Sequence, residues 1–131
     1  MDVESKKEAD ITEIKILVVD DSPTELNLMA ESFITQGYQV IFAVNGEEAL
    51  QKAESEQPAL IVLDVVMPKL NGFQVCHMLR STKNFKDTPI ILLTSKKTAR
   101  DKYYGLKQGA NAYMTKPFTS EELLATASKL L

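Results

Sequence analysis

Residues 15–25 read KILVVDDSPTE, and the fold turns on how that stretch divides. After its lysine, KILVV is apolar at every position. A strand with one solvated face would alternate instead, because successive side chains point to opposite sides of a sheet. Two carboxylates, Asp20 and Asp21, end the run. Ser22-Pro23-Thr24-Glu25 then reads as a helix start: a serine N-cap, proline at the first helical position and an acid three residues after the cap, in the capping-box arrangement. A strand covered on both faces that feeds directly into a helix is half of a parallel β–α unit.

The same unit recurs along the chain. The strand-like runs KILVV (15–19), YQVIFAV (38–44), ALIVL (59–63), PIILLTS (89–95) and NAYMT (111–115) alternate with helical patterns. These are PTELNLMAESFITQG (23–37), GEEALQKAESE (46–56), GFQVCHMLR (72–80), KTARDKYYGLKQG (97–109) and SEELLATASKLL (120–131). Strict alternation with doubly covered strands predicts an α/β fold, a doubly wound parallel sheet of five strands in one domain. Gly37 and Gly109 suit helix C-caps. The domain is expected over residues 14–131. Residues 1–13 hold five acids, two lysines and few apolar side chains, and read as a flexible N-terminal extension.

Composition narrows the function. The 131 residues are 44% hydrophobic with a net charge of -3, enough for a sizeable core and too acidic for a nucleic-acid surface over the whole molecule. A single cysteine, Cys76, makes neither an internal disulfide nor a thiolate metal site, which points to a reducing cytoplasm. No apolar run approaches the roughly 18 residues that span a bilayer, and the N-terminus lacks a signal peptide's apolar segment. A soluble cytoplasmic protein with no membrane and no nucleic-acid partner is expected.

In open parallel sheets, function collects at the carboxyl ends of the strands. Here those ends are Asp20-Asp21, Asp64, Thr94 and, after the fifth strand, Lys116-Pro117. Three crowded carboxylates are relieved by a hard divalent cation, and Mg²⁺ takes oxygen ligands from a few carboxylates, waters and phosphate. A carboxylate also serves as a nucleophile toward phosphorus, the developing charge being met by metal, lysine and hydroxyl donors.

VVDDSP, IVLDVVMPKLNGF, ILLTSK and GANAYMTKPF occur in this order, and with them the sequence resembles a response-regulator receiver domain of two-component signalling, in its stand-alone, chemotaxis-regulator-like form. The resemblance covers residues 14–131 and implies the flavodoxin-like (βα)5 fold with strand order 2-1-3-4-5. It makes Asp64 the phosphoryl acceptor and Asp20 and Asp21 the acids that organise Mg²⁺, Asp21 directly and Asp20 mainly through metal-bound water. Asp64 and the backbone carbonyl of Val66 complete the protein ligands. Lys116 would pair with the acceptor and then with the phosphoryl oxygens, and Thr94 would donate its hydroxyl to the phosphoryl group. Thr94 and Tyr113 match the family's switch pair, and Lys116–Pro117 is a candidate cis bond.

The resemblance further implies a histidine kinase as donor and a downstream target or phosphotransfer protein as partner. Output would pass through the face of the fourth helix, fifth strand and fifth helix. Such a domain acts on no outside substrate, catalysing only its own phosphorylation and dephosphorylation, and is expected to be a monomer. With no effector domain after residue 131, output by protein contact or onward phosphotransfer is expected. Val66 and Lys96 stand at two positions that tune the family's phosphoryl lifetime; Val66 offers no polar group to attacking water, and Lys96 would place a cation near the pocket mouth.

Other readings exist for each part. Asp20 and Asp21 could serve only the helix dipole, although Ser22 already supplies a cap. Asp64 could merely open a loop, and Thr94, Tyr113 and Lys116 are ordinary residues apart from their positions. His77 reads as a surface residue; Cys76, Met78 and Phe73 read as packing. The segment 96–109 carries Lys96, Lys97, Arg100, Lys102 and Lys107 against Asp101, either a solvated face or a surface for an acidic partner. Gly105 within it would weaken the helix. Alternatives to the phosphoacceptor are a pseudo-receiver scaffold that is never phosphorylated, an FMN binder, whose phosphate DDSPTE would repel, and a small-substrate phosphatase, which would want a second acid at the place of Val66.

Overall fold

The computed structural model describes residues 11–131. Strands β1 (Lys15–Val19), β2 (Gln39–Ala43), β3 (Leu60–Leu63), β4 (Ile90–Thr94) and β5 (Ala112–Thr115) alternate with helices α1 (Pro23–Ile34), α2 (Gly46–Glu56), α3 (Gly72–Arg80), α4 (Ala99–Lys107) and α5 (Ser120–Leu130). The strands form one parallel sheet in the order β2-β1-β3-β4-β5. This is the order that the resemblance implies.

Alternation along the strands divides the interior into two layers. Leu17, Val19, Ile61, Leu63 and Leu92 face a core completed by Ala49, Ala53, Val75 and Leu79 of α2 and α3. Ile16, Val18, Leu60, Val62, Ile91 and Leu93 face the opposite core, filled by Leu26, Met29 and Phe33 of α1 and by Leu123 and Ala127 of α5. Every residue of β3 and β4 is buried, so the fully apolar runs LIVL and IILL have their cause. Each such Leu or Ile contributes about 1.5–3 kcal/mol relative to exposure.

Element ends follow local chemistry. Gly109, φ 109°, directly follows the Gln108 cap of α4, as its C-cap reading requires, whereas Gly37, φ 102°, lies two residues beyond the Thr35 cap of α1. Helix α1 stops at Ile34, three residues short of Gly37; the chain closes that turn with the Gly37 amide donating to the Ile34 carbonyl at 3.0 Å. Helix α2 ends on Gln57 in the left-handed region, φ 48°, where no glycine signalled it. Helix α3 gains a capping box from Asn71 and Gln74.

Arg80 ties three segments together. Its guanidinium donates to the carbonyls of Gly109 at 2.9 Å and of Phe85 and Thr88 at 2.7 Å each, and to Asn111 Oδ1 at 2.8 Å. A Cβ on Gly109 would approach Arg80 Cγ to 2.6 Å, so that glycine serves close packing as well as its backbone angle. Met78, read as near-core packing, is 43% exposed, because it follows the buried pair Val75-Cys76 by two and three residues and falls on the outer side of α3. Cys76 is buried as read.

Of the extension expected over 1–13, residues 1–10 lie outside the described residues. Ile11–Glu13 forms a single 3-10 turn, with Gln39 Nε2 donating to the Thr12 carbonyl at 2.8 Å. No helix among the described residues is long and apolar enough to cross a membrane.

Candidate functional site

The sheet ladder continues one bond past the strand ends, and that bond fixes the site backbone. The Asp20 amide donates to the Ala43 carbonyl at 3.2 Å, the Asp64 amide to Val19 at 3.0 Å and the Lys116 amide to Thr94 at 2.9 Å. Neighbouring parallel strands in register (Val19 against Leu63, Thr94 against Thr115) therefore deliver these side chains to one rim.

Asp20, Asp21 and Asp64 each place a carboxylate oxygen within 4.8 Å of the others. Asp20 and Asp64 are buried and Asp21 is exposed. Lys116 Nζ lies 2.7 Å from Asp20 Oδ2 and 3.4 Å from Asp64 Oδ2. Asp64 Oδ1 accepts from the Val66 amide at 3.3 Å, which turns the chain sharply after β3. Burial pushes the Asp20 carboxyl above its usual range, and the bonds from Lys116 and the Ser22 amide offset this only in part. Burial pulls the Lys116 ammonium down, but the bond to Asp20 and the charges of Asp64, Asp20 and Glu25 outweigh it, so its pKa lies above the ordinary lysine value.

The loop after Asp64 is held against β3 by Gly72, whose amide donates to the Val65 carbonyl at 2.9 Å. A Cβ there would collide with the Asp64 carbonyl oxygen and lie 2.7 Å from Val65 Cα. Glycine is required at that crossing, a constraint the sequence did not announce. Val66 is half-exposed on the same loop, with no polar side-chain atom.

Thr94 is buried, and its Oγ1 accepts from the Lys96 amide at 3.3 Å. The Tyr113 hydroxyl donates to the Lys96 carbonyl at 2.7 Å. One peptide segment thus links the hydroxyl of β4 to the phenol of β5. Burial, with the charges of Asp101 and Asp64, pushes the Tyr113 phenol up to about 12. The Lys96 ammonium lies 4.0 Å from Asp101 Oδ1, so the cation expected at the pocket mouth is drawn to the first turn of α4.

Two residues carry more than their sequence reading gave them. Gly105 is the buried residue of α4, and a Cβ on it would approach Tyr113 Cδ2 to 2.8 Å and Leu92 Cδ1 to 2.9 Å. It is a close-packing position against the phenol ring rather than a simple weakness in the helix. Around Ser22, only half of the expected capping box forms. Ser22 Oγ accepts from the Glu25 amide at 3.4 Å, but the Ser22 amide donates to Asp20 Oδ1 at 3.0 Å. Glu25 Oε1 lies instead 3.5 Å from Lys116 Nζ. Asp20 has taken over the capping duty assigned to Glu25, and Glu25 has joined the site.

A groove of about 420 Å³ opens beside Lys116, lined by Glu25, Leu28, Ser95, Lys116, Pro117 and Phe118. The Lys116–Pro117 bond in its wall is cis, as the resemblance implies. The donor set fits a hard divalent cation: among the described residues, three carboxylate oxygens converge at one place with no thiol or imidazole among them.

Residues 16–128 match the family model of the response regulator receiver domain. The chain is 50% identical over 117 residues to the alkaline phosphatase synthesis transcriptional regulatory protein PhoP of Bacillus subtilis (strain 168), covering 89% of this chain and 48% of that protein. It is 40% identical over 117 residues to protein PilH of Pseudomonas aeruginosa, covering 89% of this chain and 97% of that one. The chain thus spans about half the length of several curated relatives it matches. Among solved structures, the chemotaxis response regulator CheY4 of Vibrio cholerae superposes with a TM-score of 0.85 at 35% identity, over 91% of this chain and 99% of that one. The family match runs from the first strand into the last helix, and on that ground the chain belongs to the response regulator receiver domain family of two-component signalling.

Proposed function

We propose that this receiver domain accepts a phosphoryl group on Asp64 from a partner histidine kinase, with Mg²⁺ held by Asp20, Asp21, Asp64 and the Val66 carbonyl. It then signals by protein contact. The observation that carries the reading is the Lys116 ammonium set between two buried carboxylates, 2.7 Å from Asp20 and 3.4 Å from Asp64, with a third acid at hand. A carboxylate oxygen of Asp64 attacks phosphorus; the new P–O bond forms as the phosphohistidine P–N bond breaks, and the imidazole nitrogen leaves with a proton. Bound Mg²⁺ would neutralise charge on the transferring phosphoryl oxygens. Lys116 and the Thr94 hydroxyl supply the remaining positive potential from the protein side.

Output is assigned to the face of α4, β5 and α5. Helix α4 has the weakest anchorage of the five, burying Gly105 and no large side chain. Its outer surface presents Tyr103 and Leu106 with Lys102 and Lys107, and the Lys107 ammonium sits 5.8 Å from the Tyr103 ring centre. A basic surface with exposed aromatics suits an acidic protein partner. Thr94, Lys96 and Tyr113 connect this face to the acceptor: a hydroxyl that turns toward a phosphoryl group leaves the Lys96 amide, and the segment that Tyr113 holds is freed to shift.

A Phos-tag gel after incubation with a small phosphodonor and Mg²⁺ tests the proposal. A slow-migrating band is expected for the wild type and not for Asp64→Asn; equal patterns would overturn it. No feature of the site favours the scaffold, flavin or phosphatase readings, since the acceptor, acids, hydroxyl and lysine are all present and Val66 occupies the place of a second catalytic acid.

A further inference from the structure

Glu25 stands at the third position of α1, where its sequence context assigns its carboxylate to the Ser22 amide. That amide is already satisfied by Asp20 Oδ1 at 3.0 Å, and the Glu25 carboxylate reaches Lys116 Nζ at 3.5 Å instead. One ammonium is therefore shared among three carboxylates, at 2.7, 3.4 and 3.5 Å. The contact to Glu25 is the longest of the three, and its acid is the most exposed, with a side chain 36% accessible against 1% for Asp20 and 8% for Asp64.

We propose that Glu25 is a positioning residue that holds Lys116 toward α1 in the unphosphorylated protein and competes with the phosphoryl group for its ammonium. The inference rests on Asp64 being the phosphoacceptor. A phosphoryl group on Asp64 adds negative charge beyond the carboxylate, and the lysine that follows it gives up the partner that binds it least. Ion pairs of long reach and partial exposure are the weakest held, so that partner is Glu25. The pair is also the electrostatic tie between the first turn of α1 and the segment after β5, both of which wall the groove of Glu25, Leu28, Lys116 and Phe118. Phosphorylation thereby releases an acid into a groove wall on the face opposite α4.

The test compares wild type, Glu25→Gln, Glu25→Asp and Asp64→Asn at saturating Mg²⁺, with acetyl phosphate as donor and initial rates read on Phos-tag gels. Glu25→Gln removes the charge; Glu25→Asp keeps it on α1 but withdraws it from Lys116 by one methylene. Both retain the backbone amide that Ser22 caps, and the aspartate variant retains an acid at the helix start. Both are expected to be phosphorylated about two- to fivefold faster than wild type. In the unphosphorylated protein, the ¹⁵N resonance of the Lys116 ammonium is expected to move in both, which a purely structural role for Glu25 would not produce. An unchanged or slower rate in either variant overturns the proposal. So does a faster rate in Glu25→Gln alone, which would reveal a charge acting at a distance, or an unmoved Lys116 resonance. Phosphorylation of Asp64→Asn at the wild-type level would instead overturn the acceptor assignment.

Discussion

Lys116 Nζ lies 2.7 Å from Asp20 Oδ2, an ion pair whose carboxylate is 1% exposed and whose ammonium-bearing side chain is 14% exposed. Removing one member of such a pair leaves an uncompensated buried charge, which costs about 3–5 kcal/mol in full burial and less at a rim. Lys116→Met is therefore expected to lower unfolding stability by about 2–3 kcal/mol at neutral pH without divalent cations. Urea titration followed by circular dichroism measures this, and a variant as stable as wild type would show that the pair is solvated.

Chelation and reloading of metal give a second expectation. At ten times its dissociation constant, a ligand that binds only the native state adds about 1.4 kcal/mol. Mg²⁺ should raise the thermal midpoint of wild type accordingly, and Asp21→Asn should lose most of that rise. Without metal, Asp64→Asn should melt above wild type, because one of the three converging acids of the cluster no longer repels the others. A wild-type midpoint indifferent to Mg²⁺ would count against the metal site.

Gly72→Ala tests the crossing of α3 and β3. Alanine favours a helix by about 1 kcal/mol over glycine, yet its Cβ would meet the Asp64 carbonyl and Val65 Cα, both backbone atoms with little room to yield. Overpacking of this kind costs about 1–3 kcal/mol, and here it pushes directly on the backbone of Asp64, the proposed acceptor. Loss of stability together with slower phosphorylation is expected. A variant more stable than wild type at full phosphorylation rate would mean that the loop gives way freely.

The sheet was legible because its evidence is periodic. KILVV, GEEALQKAESE and GFQVCHMLR coincide with β1, α2 and α3, since doubly buried strands and amphipathic helices leave patterns in residue order. The clustering of Asp20, Asp21, Asp64 and Lys116 was legible too, because parallel strands end at one edge. What escaped were relations set by atomic proximity across the fold. Glu25 looked committed to the cap because nothing in the order of residues shows that Asp20 reaches the Ser22 amide first. Gly72 and Gly105 looked like ordinary residues of helical runs because the atoms they make room for, on Asp64 and Tyr113, are remote or unmarked in sequence. Arg80, which closes four acceptors, looked like any basic residue at a helix end.

Burial pushes the Cys76 thiol up to about 11 from 9.0, with the nearby charge of Arg80 opposing it only in part. The folded state keeps a proton that the unfolded chain releases. Its contribution to stability is full below pH 9 and is lost as pH rises through about 11, a loss of about 3 kcal/mol. Chemical denaturation between pH 8 and about pH 11 should show a shallower decline for Cys76→Ala than for wild type; parallel declines would place the alkaline sensitivity elsewhere.

The sheet is not uniform from centre to edge. Every residue of β3 and β4 is buried, whereas β5 is partly accessible along its length and is flanked on one side only, by β4. Asp64, the proposed phosphoacceptor, thus follows a fully buried strand, whereas Lys116 follows a partly accessible edge strand. Amide exchange should be slowest in β1, β3 and β4 and faster in β5, with uniform protection speaking against the contrast. If Asp64 is the acceptor, as proposed, the new charge arises between a fixed centre and a yielding margin, and it is the margin carrying Lys116 and Tyr113 that has room to answer it.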